Sequence, residues 1–413
     1  MTRDPATPRR VIVLGSTGSI GVSALDVVAA LDASDRPGPR FEIVGLAAGR
    51  RGDALESQAA RFGVIDVAVA DPQATGAIDS SRRVRSGPRA AVELVEEIAR
   101  PGDLVVAAMV GAAGIPAVLA AIETGADVAL ANKETLVAAG AIVMPAAAAA
   151  GVRIIPVDSE HAALHQCLRS GRGDAEVARL VLTASGGPFR TWDAERIRTA
   201  DVSAALAHPT WAMGRKVTID SASMMNKGLE LIEAHWLFDV DADRLDAIIH
   251  PQSIVHSFVE FVDGSTLAQL SPPDMRMPIQ YAMCHPARVP GCAPTLDWTT
   301  FRDLVFEPVD HERFPAIGLA LDAVRRGGTA GATFNAANEA AVEAFLDRRI
   351  AFGRIGDLVA EAMATLPVQA AADLNDVEQA DAVARDWVAG RLSASGASPP
   401  DAAGKPGPSS APA

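Results

Sequence analysis

Four apolar residues, Val11 to Leu14, run directly into Gly15-Ser16-Thr17-Gly18-Ser19-Ile20-Gly21, and a helical period begins at once afterwards. Strand, glycine turn and helix in that order commit the chain to a βα unit, with the turn at the carboxyl end of a strand. Glycines let the backbone approach a bound group, and the free N–H groups of the helix attract an anion. A dinucleotide fingerprint needs this context, but the spacing is GxxGxxG and not GxGxxG. A tight turn without ligand therefore stands beside it as an alternative. Further apolar runs follow at Phe41 to Leu46, Val67 to Ala70, Leu104 to Ala108, Val128 to Ala131 and Arg153 to Val157, with helical patterns between them. This alternation predicts an α/β chain with a mostly parallel, Rossmann-like N-terminal sheet. Aromatics at 4% and abundant Ala and Val suit helices packed on such a sheet.

Net charge and cysteines remove several functions. At −14 the chain lacks the basic face that nucleic acid requires. Cys167, Cys284 and Cys292 form no CxxC pair, which fits a reducing cytoplasm and neither a disulfide framework nor a zinc site. The stretch before Val11 is too short for a signal peptide. Leu136 to Val152 is the most apolar stretch, but it is mostly Ala with Gly140 and Pro145 inside it. It is shorter than a membrane span requires and reads as a core helix and its loop.

The end of the second strand bears on the cofactor. An NAD site carries an acidic residue there, whereas this chain has Gly49-Arg50-Arg51. Paired guanidinium groups match a 2′-phosphate and favour NADPH over NADH. Ala131-Asn132-Lys133-Glu134 lies at the carboxyl end of another strand, where open α/β sheets bind ligands.

Val157-Asp158-Ser159-Glu160-His161 closes the last apolar run. If the chain stays extended, Asp158 and Glu160 point to one side and repel unless a cation lies between them. Hard oxygen donors without Cys suit Mg²⁺ or Mn²⁺. The bland alternative is an acidic loop capping a helix over 162–168, with Ser159 as N-cap. A zinc site at His161 and His165 is conceivable, although such a pair is more often polar surface or a support for other ligands. His208 to Lys216 mixes His, Trp and Met without period and suits a lid. Asp220 to Glu230 supplies hydroxyls, an amide and a lysine as phosphate donors. Glu230 opens a helix over 231–238 and is either a third metal carboxylate or an ordinary first-turn glutamate. Asp263-Gly264 signals a hairpin, Ser271 to Pro294 a linker, and helical patterns run from Pro315 to Leu392. The basic residues are nearly all Arg. Before the tail, Lys occurs at 133, 216 and 227 alone, each within a polar stretch named above, which suggests that a compact ammonium is required there.

Taken together, GSTGSIG at Gly15, ANKE at Ala131, PVDSEH at Pro156, SGGPF at Ser185, HPTWAMGRK at His208, DSASMMNKGLE at Asp220 and NAANE at Asn335 resemble the 1-deoxy-D-xylulose 5-phosphate reductoisomerase family, from Val11 to Leu392. The resemblance implies conversion of that ketose phosphate into 2-C-methyl-D-erythritol 4-phosphate with NADPH, in the non-mevalonate isoprenoid pathway. It implies a metal site of Asp158, Glu160 and Glu230 for Mg²⁺, Mn²⁺ or Co²⁺, with Lys133 and Ser159 touching substrate. Ser185, Ser221, Asn226 and Lys227 would hold the phosphate, and His208, Trp211 and Met213 would belong to a flap over it. Thr17, Gly18, Ser19, Ile20, Gly49, Arg50, Arg51, Asn132, Glu134, Gly214 and Met275 would contact NADPH. At Arg51 the family often has Asn, so a guanidinium stands where an amide contact is expected. The implied division is a nucleotide domain over 1–157, a catalytic α+β domain over 158–290 with a flap near 206–216, a linker over 291–314, a helical domain over 315–392 and a disordered tail over 393–413. A cytoplasmic homodimer is expected. The rivals are an NADP-dependent semialdehyde dehydrogenase, which needs a nucleophilic Cys, and a non-enzymatic NADPH sensor, which would leave the acidic and phosphate-type clusters idle.

Overall fold

The computed structural model describes residues 7–33, 38–209, 211, 213–299 and 303–394. Seven strands form the first sheet: β1 (Arg9–Leu14), β2 (Phe41–Ala48), β3 (Asp66–Val69), β4 (Arg83–Ser86), β5 (Leu104–Ala107), β6 (Asp127–Leu130) and β7 (Ile154–Pro156). Their order is β4-β3-β2-β1-β5-β6-β7 and every pairing is parallel. Val11, Ile12 and Val13 are fully buried because helices cover both faces, which is why β1 reads as an unbroken apolar run. The chain turns one way from β1 to β2 and the other way to β5, which leaves a crevice beyond the carboxyl ends of β1 and β5.

Helices α1 (Ser19–Asp32) and α2 (Gly52–Phe62) cover one face, and α3 (Ala90–Ile98), α4 (Ile115–Glu123) and α5 (Lys133–Ala150) the other. In α5, Ala139 leaves helical geometry, and Gly140 beside it lets the Trp236 ring approach so closely that an added Cβ would lie 2.3 Å from it. Although long and apolar enough by length and composition to cross a membrane, α5 is half buried inside the protein, packed on neighbouring helices.

After α6 (Ser159–Leu168) comes β8 (Val177–Ala184), followed by α7 (Ala194–Arg198), α8 (Val202–Ala205), α9 (Arg215–Ala222) and α10 (Met225–Phe238). Strands β9 (Leu245–Ile249), β10 (Val255–Phe261), β11 (Thr266–Leu270) and β12 (Glu307–Pro308) complete a second sheet of order β11-β10-β8-β9-β12. The hairpin signal at Asp263-Gly264 joins β10 to β11, with Gly264 at φ +85°. Helices α12 (Ala316–Arg326), α13 (Ala330–Leu346), α14 (Gly353–Thr365) and α15 (Leu374–Ala394) share one core with β8, β9 and α10. Fully buried Phe314, Phe334 and Phe345 anchor it, each contributing about 1.5–3 kcal/mol.

The structure differs from the sequence reading in three places. Ser271 to Pro294 is not a plain linker. It contains α11 (Arg276–Cys284), whose Ile279, Ala282 and Met283 return to the first sheet and pack in the same cluster as α1. The edge strand β4 has no apolar run, because Arg83 and Arg85 alternate along it and pair with Asp66 of β3. Helix α15 continues to Ala394, so residues 393 and 394 of the expected tail are helical, and its remainder, 395–413, lies outside the described residues.

Candidate active site

The carboxyl ends of β6 and β7 and the starts of α5, α6, α9 and α10 surround a cavity of about 420 Å³. Asp158 and Glu160 do not converge through extended chain. Helix α6 already begins at Ser159, and the N-cap is Asp158, not Ser159, its Oδ1 accepting from the Glu160 N–H at 3.2 Å. Glu230 does not open its helix either. Met224 adopts left-handed backbone at φ +61°, a conformation uncommon for a side chain of this size, and turns α9 sharply into α10. Asn226, Lys227 and Glu230 therefore lie on the first two turns of α10 and face the cavity.

Carboxylate oxygens of Asp158, Glu160 and Glu230 lie within 4.8 Å of one another. Two lysines are interleaved with them. Lys133 Nζ contacts Asp158 and donates to Glu230 Oε1 at 3.2 Å. Lys227 Nζ donates to Glu160 Oε1 at 3.0 Å and contacts Glu230, which also accepts from Asn226. Burial pushes the Glu160 carboxyl up, but the charges of Lys227, His256 and Lys133 and the Ser159 hydroxyl outweigh it and hold it at about 2. Burial works against the Lys227 ammonium, and Glu160 and Glu230 more than restore it. The set is three hard oxygen donors with their charge partly compensated, which fits a divalent cation of the Mg²⁺ or Mn²⁺ type. His161, fully buried, lies below: Nε2 meets the Glu230 carbonyl at 2.8 Å and Nδ1 lies 3.2 Å from Asp158 Oδ1. His165 instead meets the Tyr281 hydroxyl at 2.6 Å, so the two histidines of the conceivable zinc pair do not converge.

The expected phosphate donors Ser185, Ser221, Asn226 and Lys227 line the same cavity, as do Ser159, His208, Trp211, Met213, Gly214 and Met275. His208 Nε2 lies 3.1 Å from Ser185 Oγ, and its Nδ1 accepts the Trp211 N–H at 2.9 Å. Burial lowers the His208 pKa. Ser19 and Ile20 open the cavity towards the glycine turn. There Gly15 at φ +80° lets the Ala108 carbonyl come within 2.3 Å of where a Cβ would stand. Helix α1 has no side-chain cap and no acidic residue in its first turn, which leaves its first N–H groups to an anion. Thr17 is buried, Gly18 caps α1, and Gly49, Arg50 and Arg51 are exposed between β2 and α2. Asn132 and Glu134 are buried, the amide of Asn132 donating to Glu134 Oε2 at 3.0 Å and to the carbonyls of Met109 and Gly111 at 2.6 and 3.1 Å. Sequence reasoning missed His256, Ser253 and Asp274, which also line the cavity. His256 sits within the apolar run of β10, where nothing local marks it, and meets the Ser271 hydroxyl at 2.9 Å.

No cysteine lines the cavity. Burial pushes the Cys167 thiol up to about 11 and that of Cys284 up to about 12, and it raises Cys292 as well. A thiol nucleophile needs the opposite shift, so the semialdehyde dehydrogenase alternative is not favoured.

Three family models match: 1-deoxy-D-xylulose 5-phosphate reductoisomerase over residues 11–140, its C-terminal domain over 154–238, and the DXP reductoisomerase C-terminal domain over 270–387. The chain is 55% identical over 359 residues to the 1-deoxy-D-xylulose 5-phosphate reductoisomerase of Mycobacterium avium, covering 86% of this chain and 84% of the relative. It is 52% identical over 386 residues to that of Rhodococcus jostii, covering 93% and 94%. The solved structure of the Zymomonas mobilis enzyme in complex with NADPH superimposes with a TM-score of 0.83 at 41% identity, over 94% of this chain and 99% of that one. A reductoisomerase in complex with NADPH, fosmidomycin and magnesium gives 0.86 at 36% identity, over 93% and 98%. The chain belongs to the 1-deoxy-D-xylulose 5-phosphate reductoisomerase family.

Proposed function

We propose that this protein rearranges and reduces 1-deoxy-D-xylulose 5-phosphate to 2-C-methyl-D-erythritol 4-phosphate with NADPH, in the non-mevalonate isoprenoid pathway. The observation that carries the reading is the cluster of Asp158, Glu160 and Glu230 at the seam of a cavity that also opens on the glycine turn. A Mg²⁺ or Mn²⁺ ion held by these carboxylates supplies Lewis-acid polarisation of the substrate oxygens.

The chain's own groups do the rest. Ser185, Ser221, Asn226 and Lys227 bind the phosphate and fix the ketose relative to the carboxylates. Lys133 and Ser159 orient the sugar oxygens. His208 accepts or donates at the Ser185 hydroxyl, while Trp211 and Met213 exclude water from the cavity. Ser19 and Ile20 at the start of α1 receive the pyrophosphate, and Thr17, Gly18, Asn132 and Glu134 shape its cleft. Arg50 and Arg51 bind the 2′-phosphate, and Gly214 and Met275 lie along the nicotinamide. The cell compartment is the cytoplasm, and the assembly is a homodimer. The outer edge of β11, unpaired among the described residues, and Trp298, 70% exposed, support an interface.

The test follows NADPH oxidation with the ketose phosphate and identifies the product. Turnover should stop in excess chelator, return with Mg²⁺ or Mn²⁺, and leave NADPH binding largely intact throughout. Activity persisting in excess chelator overturns the metal assignment. Absence of product with metal and NADPH both present overturns the reading itself.

A further inference from the structure

Two features remain outside this account: the third lysine, Lys216, and the Asn335–Glu339 motif of α13. The structure brings them together. Lys216 lies on the first turn of α9, two residues past Gly214, where the segment carrying His208, Trp211 and Met213 ends. Its ammonium lies 3.1 Å from Glu134 Oε1 and 3.0 Å from Asp220 Oδ2. The other oxygen of Asp220 accepts from the Asn338 amide at 2.8 Å. The second oxygen of Glu134 accepts from Asn132, whose amide also holds the loop after β5 through the Met109 and Gly111 carbonyls. Asp220, Asn338 and Glu134 are all buried. Glu339, on the next position of α13, adds a further negative charge felt by the ammonium and is itself clamped by Arg385 of α15.

A chain of charge-assisted contacts therefore runs from α13 through α9 to the β6–α5 and β5–α4 loops that bound the nucleotide crevice. We propose that Lys216 is a positioning residue for the cofactor: by joining Glu134 to Asp220 it sets Gly214 and Met213 against the nucleotide cleft, with Asn338 bracing the clamp from the C-terminal helices. The proposal rests on the reading that this cleft takes NADPH. Neither Lys216 nor Asn338 lines the cavity, so each acts through its neighbours.

The variants Lys216→Met and Asn338→Ala test this in the full chain. The first removes the charge, and the second breaks the brace without leaving a new unpaired charge. Binding of NADPH is followed by its fluorescence in the absence of substrate, and KM for NADPH and kcat are measured with metal saturating. Lys216→Met should raise both Kd and KM for NADPH by about 10–100-fold, the scale of a misplaced positioning element. At saturating NADPH, kcat should fall by less, and the metal concentration for half-activation should stay as in the unmodified protein. Asn338→Ala should move the same constants in the same direction by a smaller factor, and it decides the matter alone if Lys216→Met does not fold. If the variants lose only thermal stability while NADPH Kd and KM stay at their unmodified values, the proposal is overturned. Unmodified protein that binds no NADPH overturns the functional reading beneath it, an outcome visible before any variant is made.

Discussion

Glu230→Gln tests the centre of the site, because it keeps the side-chain shape and removes one charge. The Glu230 carboxylate is 1% exposed and accepts from Lys133 at 3.2 Å and from Lys227 and Asn226. A glutamine offers one oxygen to these three donors and turns an NH₂ group towards the rest. At least one charge-assisted hydrogen bond is lost, about 1.5–3 kcal/mol. A lysine left facing the amide raises the total towards about 3–5 kcal/mol. The metal-free thermal midpoint should therefore fall by on the order of 10 °C. Metal acts in the opposite direction: at a hundredfold excess over its Kd it stabilises the unmodified protein by about 2.7 kcal/mol. Residues that merely support metal ligands are worth about 10–100-fold in affinity, and loss of a ligand costs at least as much. With affinity down a hundredfold, the increment at the same metal concentration shrinks to about 0.4 kcal/mol. Thermal denaturation with and without Mg²⁺, and turnover on the same samples, reads both quantities. A Glu230→Gln protein with undiminished turnover and an undiminished metal-dependent rise would refute the three-carboxylate site.

Two further expectations bear on the cleft and on the packing behind it. The unmodified protein should prefer NADPH over NADH, and Arg50→Ala should narrow that preference by about tenfold or more; equal kcat/KM for the two cofactors before mutation would remove the role of the arginine pair. Gly331 of α13 passes so close to α5 that an added Cβ would lie 2.0 Å from the Val137 carbonyl, whereas Gly318 of α12 is exposed with nothing near. Gly331→Ala should destabilise by about 1–3 kcal/mol or more, and Gly318→Ala should stabilise by up to about 1 kcal/mol, as read by urea denaturation; a Gly331→Ala protein of unchanged stability would contradict the close crossing.

What the sequence made legible was what short range encodes. The glycine turn, the arginines after β2, the four residues after β6 and the acidic pair after β7 each sit where a strand meets a helix, and local pattern marks such junctions. The misreadings share another cause. Asp158, Glu160 and Glu230 come together by a geometry other than extended chain and a helix opening at Glu230, because the helix starts depend on Asp158 as a cap and on Met224 in left-handed backbone, and neither leaves a periodic trace. Helix α11 hides among prolines and declares itself only through its packing on α1. Strand β4 is held by Asp66 from a neighbouring strand, and His256 matters because the second sheet carries it beneath Glu160. Lys216 was singled out by composition alone. Of the groups it joins, Asp220 lies one turn further along α9, but Glu134 on α5 lies 82 residues away in sequence, and Asn338 of α13 reaches Asp220 across 118, so no local window shows the whole clamp.

The burial of the thiols has an experimental use. Burial raises the pKa of all three cysteines, and the most exposed of them, Cys292, is only partly accessible. At neutral pH the native protein is therefore a quiet background for maleimide chemistry, since the thiolate is the reacting form. A single exposed thiol introduced at the start of the segment that leads to Trp211 and Met213, as in Ala207→Cys, would then carry a spin label or fluorophore with little competition. Such a reporter would follow that segment in solution by spectroscopy as NADPH or substrate is added, without first stripping the native cysteines from the chain.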